Sequence, residues 1–265
     1  MPITGKRATA AAAVAALTLT LVGCSMDTTA PADARSDARS DGRSLKNPTG
    51  TVQASTVTPD TPVDCEKAKC IALTFDAGPG KDTPRLLDTL LKERVPATFF
   101  LLGKNHVVRY PGVVKRISAE GHEVANHTWT HRRLDQLNRA EIHEELSRTQ
   151  EAIARITGRE PTLMRPPQGR IDDEVTEVSK ELGLAQILWS ATAKDYSTND
   201  SALIEKRILK QAGRDGIILL HDIYDGTVPA VPGIIEQLKD RGYTFVTVSQ
   251  LLAPAQANPG EVYRP

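Results

Sequence analysis

Five short polar clusters hold the side chains best suited to chemistry in this 265-residue chain. They are Thr74-Phe75-Asp76-Ala77-Gly78-Pro79, His127-Thr128-Trp129-Thr130-His131, Arg165-Pro166-Pro167-Gln168-Gly169, Asp195-Tyr196 and His221-Asp222. The chain has six histidines, and three of them lie in these clusters. The His-x-x-x-His spacing of His127 and His131 predicts two imidazoles on one side of a helical turn, a common way to hold a divalent ion. Two partly exposed loop histidines are the plainer alternative. Asp76, ahead of a Gly-Pro turn, suits a general base that takes a proton from metal-bound water, or an Asx-turn residue that braces the bend. Arg165 can pair with a carboxylate, or only shape its proline loop. His221 follows the apolar run Ile217-Ile218-Leu219-Leu220. It suits a general acid if a carboxylate such as Asp195 or Asp222 raises its pKa, and otherwise a buried structural histidine.

The segments between these clusters show what positions them. Strands are predicted at Ile71–Phe75, Ala97–Leu102, Glu123–Ala125, Pro161–Arg165, Leu184–Trp189, Gly216–Leu220 and Tyr243–Val248. Helices are predicted from Thr83-Pro84 onward, with Leu86, Leu87, Leu90 and Leu91 on one face, over Val107–Glu120, and over Arg139–Thr157 before Gly158. Strand–helix alternation implies an α/β fold with a parallel sheet. About seven strands in this length favour a single-domain, closed or nearly closed (β/α) barrel. In such barrels the active site is built at the carboxyl ends of the strands, so all five clusters are expected at one mouth.

The amino-terminal quarter reads differently. Residues 1–24 form an export signal: Lys6 and Arg7, then an apolar run from Ala8 to Val22, too short to span a bilayer. It ends in Leu21-Val22-Gly23-Cys24, which resembles a bacterial lipobox with Cys24 as the lipidation site. Ordinary secretory cleavage is the alternative. Residues 25–62 contain a four-residue repeat of Asp, a small residue, Arg and Ser, and are expected to be a disordered tether. Residues 63–265 form the domain. Cys65 and Cys70 in an exported protein are expected to make a structural disulfide, stabilising by about 2 kcal/mol for so short a loop. Charge is balanced at 33 basic and 33 acidic residues, so there is no footprint for nucleic acid. The protein is expected at the outer face of the cell membrane as a lipoprotein, or secreted.

From Cys70 to Leu252 the five motifs, in order, resemble those of the NodB-homology polysaccharide deacetylases, carbohydrate esterase family four. The resemblance implies a distorted (β/α) barrel and the hydrolysis of N- or O-acetyl groups on peptidoglycan, chitin oligomers or acetylxylan. It further implies Asp76 as the catalytic base, Arg165 as its orienting partner, Asp195 as the residue that tunes the acid, and His221 as that acid. His127 and His131 would bind a divalent metal, Zn²⁺ or alternatively Co²⁺. The Gln168 N–H would stabilise the oxyanion, Leu219 would line the acetyl pocket, and Tyr196 would supply an aromatic wall.

The chain departs from the family pattern in four places. Ala77 stands where a second aspartate usually gives the third metal ligand, which predicts weaker metal binding unless a carboxylate such as Asp82 substitutes. Thr192 replaces a frequent aspartate, Tyr196 a common tryptophan, and Gln168 a frequent tyrosine. Three functions therefore compete: a metal-dependent deacetylase, a metal-independent amide hydrolase of the same superfamily, and a catalytically silent carbohydrate-binding lipoprotein.

Overall fold

The computed structural model describes residues 28–40, 57 and 62–265. The export signal, Cys24 and most of the expected tether lie outside the described residues. Chain order is β1 (Thr28–Thr29), α1 (Pro31–Ser40), β2 (Lys69–Asp76), α2 (Thr83–Glu93), β3 (Thr98–Leu101), α3 (Pro111–Ala119), β4 (Glu123–Asn126), α4 (Arg139–Thr157), β5 (Leu163–Met164) and α5 (Asp173–Glu181). It continues with β6 (Ala185–Ile187), β7 (Ala191–Thr192), α6 (Ser201–Gln211), β8 (Gly216–Leu220), α7 (Thr227–Asp240), β9 (Tyr243–Val246), α8 (Val248–Leu252) and β10 (Val262–Tyr263).

All ten strands join one parallel sheet in the order β1-β10-β6-β5-β4-β3-β2-β8-β7, with β9 also pairing to β2. The two ends of this path do not pair, so the sheet curls into an open half-barrel. Alternation along β2 separates two cores, because successive side chains point to opposite faces. Ile71, Leu73 and Phe75 pack outward with the helices, while Cys70 and Ala72 face a second cluster with Phe100, Ala125, Leu163, Ala185 and Ile217. Every pair is parallel, so all strands deliver their carboxyl ends to the same rim.

Local signals set the helix ends. Asn138 and Glu141 form a capping box at the start of α4, and Gly158 takes the left-handed conformation that closes it. The helix expected over 107–120 begins only at Pro111, because a proline without an N–H fits the first turn. Gly103–Val107 instead form a single π turn. Strands expected to reach Arg165, Trp189 and Val248 are shorter, ending at Met164, Ile187 and Val246. Thr247 caps α8 with Gln250, which stops β9. The two-residue strands β1, β7 and β10 are too short to show a period of two. The Cys65–Cys70 disulfide is present, with a Cα–Cα separation of 5.4 Å.

One expectation is overturned in part. Residues 28–40, expected to be disordered tether, form β1 and α1. Thr28 and Thr29 pair with Val262 and Tyr263. Ala34 joins the interior cluster beside Cys65, Cys70 and Leu251. Arg35 is buried, with Nη2 2.7 Å from Asp215 Oδ2 and Nη1 donating to the Leu251 carbonyl at 2.7 Å. A repeat with few apolar residues thus gains its order from an ion pair and from docking against the floor of the sheet. Arg35→Ala takes the nearer cation from mostly buried Asp215, leaving Arg214 Nε at 3.8 Å, and is expected to cost about 3 kcal/mol in denaturant unfolding. A free tether would show no change.

Candidate active site

Asp76 is the last residue of β2 and is 2% exposed. Its Oδ1 accepts from Arg165 Nη1 at 2.6 Å. Arg165 follows β5 and is fully buried, and it donates further to Thr74 Oγ1 at 2.8 Å and to the Ile187 carbonyl at 2.9 Å. The Phe100 ring lies 4.0 Å from its guanidinium. The carboxylate is therefore aimed by a cation that itself has little freedom to move.

The Arg165 carbonyl accepts from His127 Nδ1 at 2.7 Å. A carbonyl cannot donate, so Nδ1 carries the hydrogen and Nε2 keeps its lone pair. That lone pair faces Asp76 Oδ2 at 3.9 Å. Burial, the largest influence, lowers the pKa of His127 to about 4 against the pull of Asp76, so the ring is neutral near pH 7. Burial lowers that of His131 as well. The two rings are 5.0 Å apart between centroids.

The segment joining these histidines is a loop, not the helical turn expected from their spacing. Thr128 and His131 take left-handed backbone angles, with φ of 72° and 65°. Such angles are costly for residues other than glycine and persist where surroundings impose them. Here Asn126 Oδ1 accepts from Thr128 N at 2.8 Å, and Thr128 Oγ1 accepts from His131 N at 3.0 Å. Glu145, buried on α4, accepts from the N–H groups of Trp129 at 3.0 Å and Thr130 at 2.7 Å, and from the Thr130 hydroxyl. Glu145 carries no local signal in the sequence, because it sits in a helix rich in charge and its partners are visible only in space.

On the opposite wall, His221 Nδ1 lies 2.9 Å from Asp195 Oδ1. Asp195 Oδ2 also accepts from His221 N at 2.7 Å and from Thr227 Oγ1 at 2.8 Å. Burial is the largest single influence on His221 and lowers its pKa. The hydrogen bond and charge of Asp195, with the charges of Asp76 and Asp222, outweigh it and raise the pKa overall. Asp222, the other candidate partner in the sequence, points elsewhere. It accepts from Thr83 Oγ1, its Oδ1 has no partner, and it packs so closely over Gly78 that a Cβ there would come within 2.2 Å. Burial raises its pKa to about 6.

Asp76, Ala77, His127, His131, Gln168, Tyr196, Leu219 and His221 line one cleft of about 770 Å³, so the five clusters meet as expected. Leu102, Trp189, Thr192, Lys194 and Tyr224 complete its walls. Trp189 and Tyr224 were not expected there, although Trp189 closely follows a strand as the motif residues do. Gln168 has a φ of 59°, and its N–H makes no hydrogen bond within the described residues. Tyr196 is 58% exposed at the rim, its ring 6.2 Å from that of His221.

The His127 lone pair and Asp76 Oδ2 are both acceptors that face each other, and a cation between them would relieve their opposition. Ala77 lines the cleft beside them and offers no ligand atom, and Asp82 flanks α2 beside Lys81 and does not line the cleft. Among the described residues no group of three or more His, Cys, Asp or Glu side chains is arranged to hold a metal.

The polysaccharide deacetylase family pattern matches residues 64–187. The peptidoglycan-N-acetylglucosamine deacetylase PgdA of Listeria monocytogenes is 41% identical over 184 residues, which is 69% of this chain and 39% of that protein. The chain thus spans about two fifths of the length of that relative. A chitooligosaccharide deacetylase of Bradyrhizobium is 36% identical over 71% of this chain and 93% of its own length. A solved structure described as T48 deacetylase with substrate is 40% identical, covers 76% of this chain and 99% of that one, and has a TM-score of 0.73. With a family pattern, near-complete coverage of a curated relative and a shared fold in agreement, the chain belongs to the polysaccharide deacetylase family.

Proposed function

We propose that this protein hydrolyses acetyl groups, N-linked in the first instance, from an acetylated polysaccharide bound in the cleft. The observation that carries the reading is the pairing of Asp76 with Arg165 on one wall and His221 with Asp195 on the other, each charge held in a fixed direction. Sugar binding alone needs no such acid–base set, so the silent-lipoprotein reading is the weaker one. Names of relatives support the amide: one acts on peptidoglycan N-acetylglucosamine and another on chitooligosaccharides.

Asp76 Oδ2, left free by the Arg165 contact to Oδ1, takes a proton from a water attacking the acetyl carbonyl. The free N–H of Gln168 is available to donate to the oxyanion as the carbon becomes tetrahedral. Leu219 and Trp189 give the acetyl methyl an apolar wall. His221, with Nδ1 tied to Asp195, presents Nε2 to the cleft and gives its proton to the leaving amine. The C–N bond breaks, and acetate and a free amine leave. A divalent ion such as Zn²⁺ or Co²⁺, held by His127 and His131, would polarise the carbonyl and acidify water. The protein acts at the outer face of the membrane, anchored through lipidated Cys24. That placement rests on the sequence of the leader.

The decisive assay is acetate release from acetylated chitin oligomers, peptidoglycan and acetylxylan. His221→Ala is expected to lower kcat by about 10²–10⁴-fold. His221 acts while protonated, and its raised pKa extends that form to higher pH than an ordinary histidine would hold it. Activity should fall as pH rises through that pKa, and Asp195→Asn should move the alkaline limb to lower pH. An unmoved limb removes His221 from the acid role.

Metal dependence follows from the reduced ligand set. Chelation should abolish activity, Zn²⁺ or Co²⁺ should restore it, and Ala77→Asp should tighten the metal by roughly tenfold or more in calorimetric titration. Full activity in chelator would assign the metal-independent reading.

A further inference from the structure

A second groove adjoins the catalytic cleft on its β5–β6 side. It encloses about 430 Å³ and is lined by Arg170, Arg264, Leu188, Val262 and Gly169, with Thr28 of β1 at one wall. The two spaces are contiguous along the chain. Gln168 and Trp189 line the cleft, and their neighbours Gly169 and Leu188 line the groove. The Trp189 ring lies against Gly169, where an added Cβ would come within 2.9 Å. Arg170, Leu188 and Arg264 follow β5, β6 and β10, so the groove opens on the same carboxyl-end rim of the parallel sheet as the cleft, in reach of a polymer that extends beyond it.

The groove is cationic. Arg170 and Arg264 are both exposed, no acidic side chain lines the space, and neither guanidinium makes an ion pair or hydrogen bond among the described residues. Other arginines of the domain are engaged: Arg116 with Asp88 and Glu120, Arg139 with three glutamates, Arg165 with Asp76. Asp135, the acid whose charge responds to Arg170, is already held by Arg133. Two free guanidiniums beside a short apolar wall suit planar anions carried on a sugar framework, since the fork of N–H donors matches a carboxylate.

Resting on the deacetylase reading, we infer that this groove is a subsite for sugar-borne carboxylates. The substrate is then an acidic glycan whose acetylated unit occupies the cleft while a carboxylate on a neighbouring unit lies between Arg170 and Arg264. Such carboxylates occur in glycans of alternating N-acetylglucosamine and N-acetylmuramic acid, as lactyl ethers, and are absent from chitin oligomers and acetylxylan. Thr28 gives the amino-terminal strand a share in this wall.

Binding is measured by calorimetry on the His221→Ala protein, which keeps the buried Arg165–Asp76 pair and slows turnover. The probes are peptide-free muramoyl oligomers, the same oligomers with carboxyl groups reduced to alcohols, peptide-bearing oligomers, and a polyol phosphate polymer. The intact peptide-free oligomer should bind roughly tenfold tighter than its reduced form, with the margin shrinking as salt rises. Arg170→Gln/Arg264→Gln should abolish the margin without weakening the reduced oligomer, and Arg170→Lys/Arg264→Lys should retain part of it. Equal binding of intact and reduced oligomers overturns the inference, as does a margin that survives in the glutamine variant. A preference confined to peptide-bearing or phosphate probes overturns it too. If the wild-type protein releases no acetate from any glycan yet the margin holds, the deacetylase reading fails and the acidic subsite stands.

Discussion

Burying a guanidinium and a carboxylate inside a sheet costs several kcal/mol per ion unless both are fully engaged, and the Arg165–Asp76 pair meets that condition. Arg165 has no exposure, yet its nitrogens reach Asp76, Thr74 and the Ile187 carbonyl, with Phe100 against its face. Its own carbonyl fixes the tautomer of His127. One residue thus joins β2, β5 and β6 to the loop after β4, and sets the direction of both the Asp76 carboxylate and the nearer imidazole. Small and polar inward residues on β2, such as Ala72 and Thr74, leave room for it in the half-barrel. The position is occupied because neighbouring strands converge on it, and it holds those strands in register.

The opposite wall follows the same rule with the sign of the titration reversed. Around His127 and His131, burial wins and lowers the pKa of both rings. Around His221, the carboxylates of Asp195, Asp76 and Asp222 together outweigh burial and the ring favours its proton. Three histidines in one cleft are thus set to different protonation states by their neighbours. Asp195 can take part in this because it is itself held by Thr227 and by the His221 backbone.

The floor of the sheet shows how little apolar surface is needed to order a segment when a buried ion pair assists. Ala34 adds one small side chain to the interior cluster, and Arg35 adds the pair with Asp215. With β1 on β10, the chain's amino-terminal part becomes a structural edge of the domain and a wall of the groove beside the active site.

Much was legible in the sequence because it is local. Apolar runs of alternating or helical period fixed the α/β class and most elements, and polar clusters after strands marked the rim. Asp76, His127, Arg165, Asp195 and His221 were identifiable in this way. The rest depends on distance in space. The His127–His131 loop is not helical, since Asn126, Thr128 and Glu145 hold two residues in left-handed angles that spacing cannot reveal. Asp195 rather than Asp222 partners His221 because Asp222 is drawn into the turn around Gly78 and Thr83. Short strands at either terminus carry no periodic pattern, and Arg35 reads as a tether residue until Asp215 is placed beside it. Periodicity reports which face a residue presents; only packing decides which charged group meets it there.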